Sequence, residues 1–419
     1  GDINDVSPNV GQLGTKVTIA GERLRGSGLE VAQVTLAGVV AELLSEADGE
    51  VTVRVNGGNA GAGDVVLTAD TEATVTLADG WTYATAGVVD TVSPSTGQYG
   101  TRVEIAGSNL RGAGSEVVSV TLAGTEVESI DDESDTLVKV VAADAGANDS
   151  AEAVVLHADT GAVITADAKW QYLTKGSVDE VVPNTGQYGT RVEIKGSGLL
   201  GGDVALDSIT LAGTAAAEVS ATDELVVVVA QASGQTAAGD VVLTAASGAV
   251  VTKEAGFEYI AVGEVTSVSV SGGQLGTLVT ISGTGLLAGG LGFVEISLAG
   301  VEVLERVSWT DTEIVVRADA AVSVGAGNVN LVSDSGSVVT KVNGWQYFTA
   351  SSIDTVSPAI GQVGTRVEIA GSNLLGISDG SKIVKVLLAG VEAQIVEGTS
   401  QATVEVVALT NADAGVTGT

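Results

Sequence analysis

The chain has 419 residues, 52 of them Asp or Glu against 18 Lys or Arg, giving a formal charge of −34, with one His and neither Cys nor Met. That inventory excludes disulfides, thiolate nucleophiles, iron–sulfur clusters and Cys-ligated zinc; with His157 the sole imidazole, it also excludes a multi-His metal centre within the chain, and no Ser-His-Asp triad is expected. An acidic surface of this size repels phosphate backbones and anionic lipid, so neither a nucleic-acid partner nor direct membrane insertion is expected.

Hydrophobic residues make up 45% of the chain, ample for a packed core, while aromatics are 3% and Pro numbers only 4 against 57 Gly. Abundant Val and Thr with Gly at the turns is a β-sheet composition. No apolar stretch approaches the length of a membrane span; Leu225 to Ala230 suits a buried strand. The chain starts at Gly1 without a signal peptide and reads as a processed product or a segment of a longer protein.

In chain order, the first element is VSPNVGQLGTKVTIAGERL, from Val6 to Leu24. It returns from Val92, Val181 and Val356, and in a weaker form from Val268. The first glycine of its GQxG core falls at Gly11, Gly97, Gly186, Gly273 and Gly361, and the second at Gly14, Gly100, Gly189, Gly276 and Gly364. Pro8, Pro94, Pro183 and Pro358 occupy one motif position, where the fourth copy has Val270. Proline is expected to pre-set φ on entry to the first strand, and the glycines to permit positive-φ turns.

Gly-rich loops follow at Arg25 to Gly28, Arg111 to Gly114, Gly201 to Gly202 and Ala288 to Gly290. They lack the helix N-terminus of a phosphate site. LAG turns end at Gly38, Gly124, Gly213, Gly300 and Gly390. Apolar runs such as Val65 to Leu67 are expected to form central strands covered on both sides. Aromatic pairs then close four units: Trp81 and Tyr83, Trp170 and Tyr172, Phe257 and Tyr259, Trp345 and Tyr347. One ring of each is expected to pack inward, against a sugar-stacking alternative.

These signatures define five units at residues 1–87, 88–176, 177–263, 264–351 and 352–419. Each reads as about seven short strands, the rhythm of an immunoglobulin-like sandwich. The fifth is incomplete: its aromatic pair would fall beyond Thr419. Its last strands belong either to a longer array or to another subunit that donates them.

Four features stand outside the repeat. Asp131, Asp132, Glu133 and Asp135 form the densest acidic run. It is read as a solvated turn, with weak Ca²⁺ binding as the alternative and no other cofactor expected. Asn148-Asp149-Ser150 is a glycosylation sequon. His157 is a strand residue without a catalytic partner. Trp309, in Ser308-Trp309-Thr310-Asp311, has no counterpart in the other units. It is a candidate exposed contact, set against a locally rearranged core.

The recurring V-S-P-x-x-G-x-x-G-T-x-V-x-I-x-G-x-x-L, the L-A-G turn and the terminal aromatic-x-Tyr resemble the IPT/TIG domain. That family has an immunoglobulin-like fold and occurs in plexin-type receptor ectodomains, Rel-type transcription factors and large surface proteins. The resemblance implies an all-β chain of tandem sandwiches and little about activity. The charge disfavours the transcription-factor branch.

Linkers of four residues, such as Ala84 to Gly87, leave little room for independent tumbling. An elongated acidic rod on the order of 150 Å follows from strand rise and unit count. The expected function is non-enzymatic: an extracellular or cell-surface stalk, adhesive protein or filament block, whose partners are further copies of itself, other surface proteins or glycans. The alternatives are a recognition ectodomain and an accessory region of a secreted carbohydrate-active enzyme.

Overall fold

A computed structural model describes residues 1–376, 382–396 and 398–409. The chain folds into two compact units. One comprises Gly1–Val181, Glu193–Val227 and Asp240–Gly256; the other comprises Val182–Val192, Val228–Gly239 and Phe257–Thr419. The described residues in regular structure are in strands.

In the first unit, the first repeat contains nine strands: β1 (Asp2–Ser7), β2 (Val10–Gly11), β3 (Lys16–Glu22), β4 (Val31–Leu36), β5 (Val39–Val40), β6 (Glu42–Glu46), β7 (Glu50–Arg54), β8 (Gly61–Ala69) and β9 (Thr74–Tyr83). They form two sheets, β1-β3-β7-β6 and β2-β9-β8-β4-β5. The count exceeds seven because the entry strand divides into β1 and β2, and because the LAG turn adds a two-residue arm. Val17 and Ile19 of one sheet and Val34, Leu36, Val65 and Leu67 of the other are fully buried in one core. Each contributes about 1.5–3 kcal/mol by leaving water.

Alternation within strands decides the inner face. Val103 and Ile105, in Arg102–Ser108, are buried while Arg102 and Glu104 are exposed. The apolar runs differ from expectation: in β8, Val65 and Leu67 are buried but Val66 is only half-buried. β8 is central within its sheet, yet only one face meets the core.

The second repeat has the same two-sheet order and its own core around Trp170 and Tyr172. In the other unit, the fourth repeat repeats that order around Trp345 and Tyr347. Of the third repeat, Leu206–Leu211 pairs with Val241 to Ala245 in the first unit, and Thr185–Gly186 lies along Glu258 and Tyr259 in the second. The described part of the fifth repeat forms a five-stranded sheet over a core of Val367, Ile369, Ala393, Val404 and Val406. Residues 410–419, which lead toward its expected last strands, lie outside the described residues.

The LAG turns connect strands through two residues in left-handed conformation, such as Ala37 (φ 46) and Gly38 (φ 81). Leu36 pairs with Val39 across them. Two positive-φ residues match the right-handed twist of a tight hairpin. The prolines correct the sequence reading: Pro8 follows β1 and does not introduce it. Ile3 and Val6 are already buried before the proline turn, on either side of a register shift between Ile3 and Asp5. All four Xaa-Pro peptide bonds are cis.

Candidate functional site: the junctions between repeats

The GQxG turn links the end of β2 to the start of β3, and its two glycines serve different ends. Gly14 has φ +91, and Gly100, Gly189, Gly276 and Gly364 are likewise positive. Gly11 does not share that conformation. A Cβ on it would lie 2.6 Å from the Thr15 Oγ1 and 2.8 Å from the Trp81 ring. Close approach therefore requires the first glycine and backbone conformation the second. Thr15 fixes the turn by accepting the Gln12 backbone N–H at 3.1 Å, as Thr101, Thr190, Thr277 and Thr365 do in their own repeats.

The glutamine that follows the first glycine joins one repeat to the next. Gln12 is 4% exposed, and its Oε1 accepts the Gly87 backbone N–H at 2.6 Å, across 75 residues. Gln98 accepts from Gly176 at 2.7 Å. In the second unit Gln187 accepts from Gly263 at 2.6 Å and Gln274 from Ser351 at 2.8 Å. Each donor ends its four-residue linker. Three of these bonds are part-buried, and an N–H left unpaired there costs up to about 1–3 kcal/mol, so the glutamine fixes where the next repeat begins; the bond to Ser351 is exposed.

Backbone bonds complete three of these joints. Lys16 N–H donates to Thr160 O and Val163 N–H to Leu13 O, both at 2.9 Å. Arg102 N–H donates to Ser247 O at 2.8 Å, and Val250 N–H to Tyr99 O at 3.1 Å. In the second unit Arg191 N–H donates to Ser335 O at 2.8 Å, beside a 2.7 Å hydroxyl contact between Thr190 and Ser337. A Cβ at Gly14 would lie 2.7 Å from the Val163 Cγ2, so the joint also depends on that glycine's size.

The aromatic pairs are core elements. Trp81 and Tyr83 are 0% and 3% exposed, edge-to-face with centroids 5.6 Å apart. The other three pairs are also buried and T-shaped. Both rings pack inward, not one, because residues i and i+2 share a strand face. The Tyr83 hydroxyl donates to Asn56 O at 3.1 Å, and burial pushes its pKa up. The rings of these four pairs are buried and offer no open face for a sugar.

The loops beginning at Arg25 and Arg111 are closed by carboxylates. Leu29 N–H donates to Asp70 at 3.0 Å and Ser115 N–H to Asp159 at 3.1 Å, so amides that could meet a phosphate already meet an acid. Arg25 holds Glu46 through two bonds of 3.0 and 2.9 Å, and Arg111 holds Glu133 through bonds of 2.9 and 2.7 Å. Glu133 is thus engaged within the acidic run, Asp135 accepts the Arg111 N–H at 3.1 Å, and Asp131 accepts the Ser129 hydroxyl at 2.7 Å. Among the described residues, no three His, Asp or Glu side chains are grouped to hold a metal ion.

Trp309 ends the strand Glu305–Trp309 and pairs with Ile314, as Glu46 pairs with Val51 and Glu133 with Val138. It therefore occupies the position of the paired glutamate, and Leu287 occupies that of the arginine; both Arg25 and Leu287 donate their N–H to the aspartate two residues past it. Trp309 is 46% exposed, so the rearranged-core alternative does not hold.

Hydrogen bonding to the guanidinium, outweighing burial, holds Glu46 and Glu133 below the usual carboxylate range. With the folded-state pKa depressed, this stabilisation is complete above the unfolded-state value of about 4.3 and is lost as pH falls through the folded one. Thermal unfolding between pH 7 and pH 3 should show Glu133→Gln flattening the acid limb of the second repeat. The fourth repeat, with Leu287 and Trp309, should lack that contribution.

His157 is half-buried on the strand Glu152–Ala158. Asn148 is half-buried, donates to Ser150 O at 2.8 Å and accepts the Tyr172 N–H at 2.6 Å, so the sequon amide is part of its own loop. Among the described residues, no helix is long and apolar enough to cross a membrane.

Paired, mainly antiparallel sheets in tandem define an immunoglobulin-like fold. The IPT/TIG domain model matches residues 2–83 and 88–172. No curated protein matches the sequence. Among solved structures, the plexin A4 extracellular region is 14% identical, with 97% of this chain and 42% of that chain covered and a TM-score of 0.37. The chain thus spans less than half of that plexin structure's length. The Bacteroides ovatus SGBP-B of a mixed-linkage glucan utilization locus, in complex with a mixed-linkage heptasaccharide, is 18% identical, with 65% and 68% covered and a TM-score of 0.20. Sidekick-1 immunoglobulin domains 1–4 are 12% identical, with 81% and 95% covered and a TM-score of 0.20.

Proposed function

We propose that the chain is a non-enzymatic extracellular spacer: five IPT/TIG repeats, at the boundaries given above, forming a stiff acidic stalk or a building block of a surface filament. The glutamine joint carries this reading. It recurs at all four junctions and ties each linker to the turn of the preceding repeat. The charge of −34 adds self-repulsion that favours extension and solubility. A surface role suits a chain free of Cys and Met, which resists oxidation.

Small-angle scattering tests the spacer. A radius of gyration of about 40 Å or more is expected, against about 22 Å for a compact chain of this length. It should persist in 1 M salt, where the Debye length is about 3 Å. Collapse in salt would mean that charge alone extends the chain, and would remove the joints from the argument. A recognition role is favoured by one observation, the exposed Trp309 on its edge strand.

A further inference from the structure

In each of the first four repeats the entry and exit of the chain are bonded side by side in the same direction. Val10–Gly11 runs parallel to Thr82 and Tyr83, Thr96–Gly97 to Gln171 and Tyr172, Thr185–Gly186 to Glu258 and Tyr259, and Gly272–Gly273 to Gln346 and Tyr347. The other described pairings in these repeats are antiparallel, including that of β1 with β3, so the entry strand is tied into both sheets. In the first repeat Thr82 N–H donates to Asn9 O at 2.9 Å and Ala84 N–H to Gly11 O at 2.8 Å. In the second, Gln171 N–H donates to Ser95 O at 3.0 Å and Leu173 N–H to Gly97 O at 2.7 Å. The glutamine then adds a third rung, Gly87 N–H to Gln12 Oε1.

Parallel pairing has a mechanical consequence. Tension applied through the chain draws the entry strand backward and the exit strand forward, along their common axis. The rungs lie across that axis, so they are loaded in shear and must fail together. An adjacent pair pulled apart from one end would lose its rungs singly. Burial of Gly97 against Thr101 and Trp170 seats the entry strand directly on the aromatic core, since a Cβ there would lie 2.8 Å from the Trp170 ring.

We propose that the chain is a load-bearing tether, in which the parallel entry–exit strand pair of each of the first four repeats, continued by the GQxG glutamine, is a shear clamp. This deepens the spacer reading and rests on it for its setting. The clamp itself is tested in the isolated protein, so the two can fail separately: an extended chain that yields easily keeps the spacer and loses the tether.

The test is single-molecule pulling of the intact chain in two directions at one loading rate. Because the native chain has no Cys, introduced thiols give unique handles. Handles at the two termini load the second repeat in shear. Handles from Tyr99→Cys and Lys175→Cys sit beyond the same end of both parallel strands and peel the pair open. The peeling force is expected to be at most half the shearing force; equal or greater peeling force overturns the proposal. Leu173→Pro, which deletes the N–H bonded to Gly97 O, provides a second readout under terminal pulling. One unfolding event should weaken while the others serve as reference, and an unchanged pattern overturns the proposal. If that variant fails to fold, the directional comparison decides alone.

Discussion

Trp170→Ala is expected to destabilise the second repeat by about 3–5 kcal/mol, the usual cost of emptying a large aromatic site. Trp170 is 0% exposed and meets Tyr172 edge-to-face at 5.6 Å. Its ring also lies against Gly97, so truncation opens a cavity beneath the clamp strand as well as within the core. Urea unfolding followed by the near-ultraviolet signal should show one transition displaced downward by about 3–5 M, taking a slope near 1 kcal/mol/M for a unit of this size. The remaining transitions should stay in place because each core is separate. Trp170→Phe should cost less than half as much: the third repeat natively holds Phe257 against Tyr259 at 5.1 Å. The Trp170 Nε1 also has no hydrogen-bond partner to lose. A Phe variant as damaged as the Ala variant would contradict this account of the pair.

Gln98→Ala should release the joint between the second repeat and the Gly176 linker. Gln98 is 3% exposed and its Oε1 is the acceptor for the Gly176 N–H. Deleting it leaves a part-buried donor unpaired, at a cost of about 1–3 kcal/mol. The Gly176 amide should then exchange with solvent about 5- to 150-fold faster, since each 1.4 kcal/mol is a factor of ten. Gln362→Ala, at the same motif position but with an exposed side chain, should change stability by less than about 0.5 kcal/mol. Exchange at Gly176 that is indifferent to Gln98 would show that the backbone bonds hold the joint by themselves.

Much of the architecture was legible because it depends on near neighbours. Alternation in Arg102–Ser108 specifies the faces of Val103 and Ile105, since side chains alternate across any strand. The LAG turns were legible as turns, although their left-handed alanines were not, because Ala is not a residue that demands positive φ. The exact role of Gly11 was also hidden. Its constraint comes from Trp81, seventy residues later, as well as from Thr15 in its own turn.

The joint was missed for a related reason. Gln12 bonds a backbone N–H 75 residues away, and a backbone donor leaves no mark in the sequence. One signal was present: Gln12, Gln98, Gln187, Gln274 and Gln362 are identical in all five turns, while the next residue changes among Leu, Tyr and Val. Aligning Trp309 with Glu46 and Glu133 would likewise have exposed the substitution of an ion pair by Leu287 and Trp309.

By itself the sequence determined the β-sandwich repeat, its length, its aromatic core and its negative charge, because periodicity and composition are local properties. Tertiary structure decided which turn holds which linker, that entry and exit strands run parallel, and that Trp309 faces solvent. Those depend on contacts between residues tens of positions apart, whose proximity is set only when the two sheets close on each other.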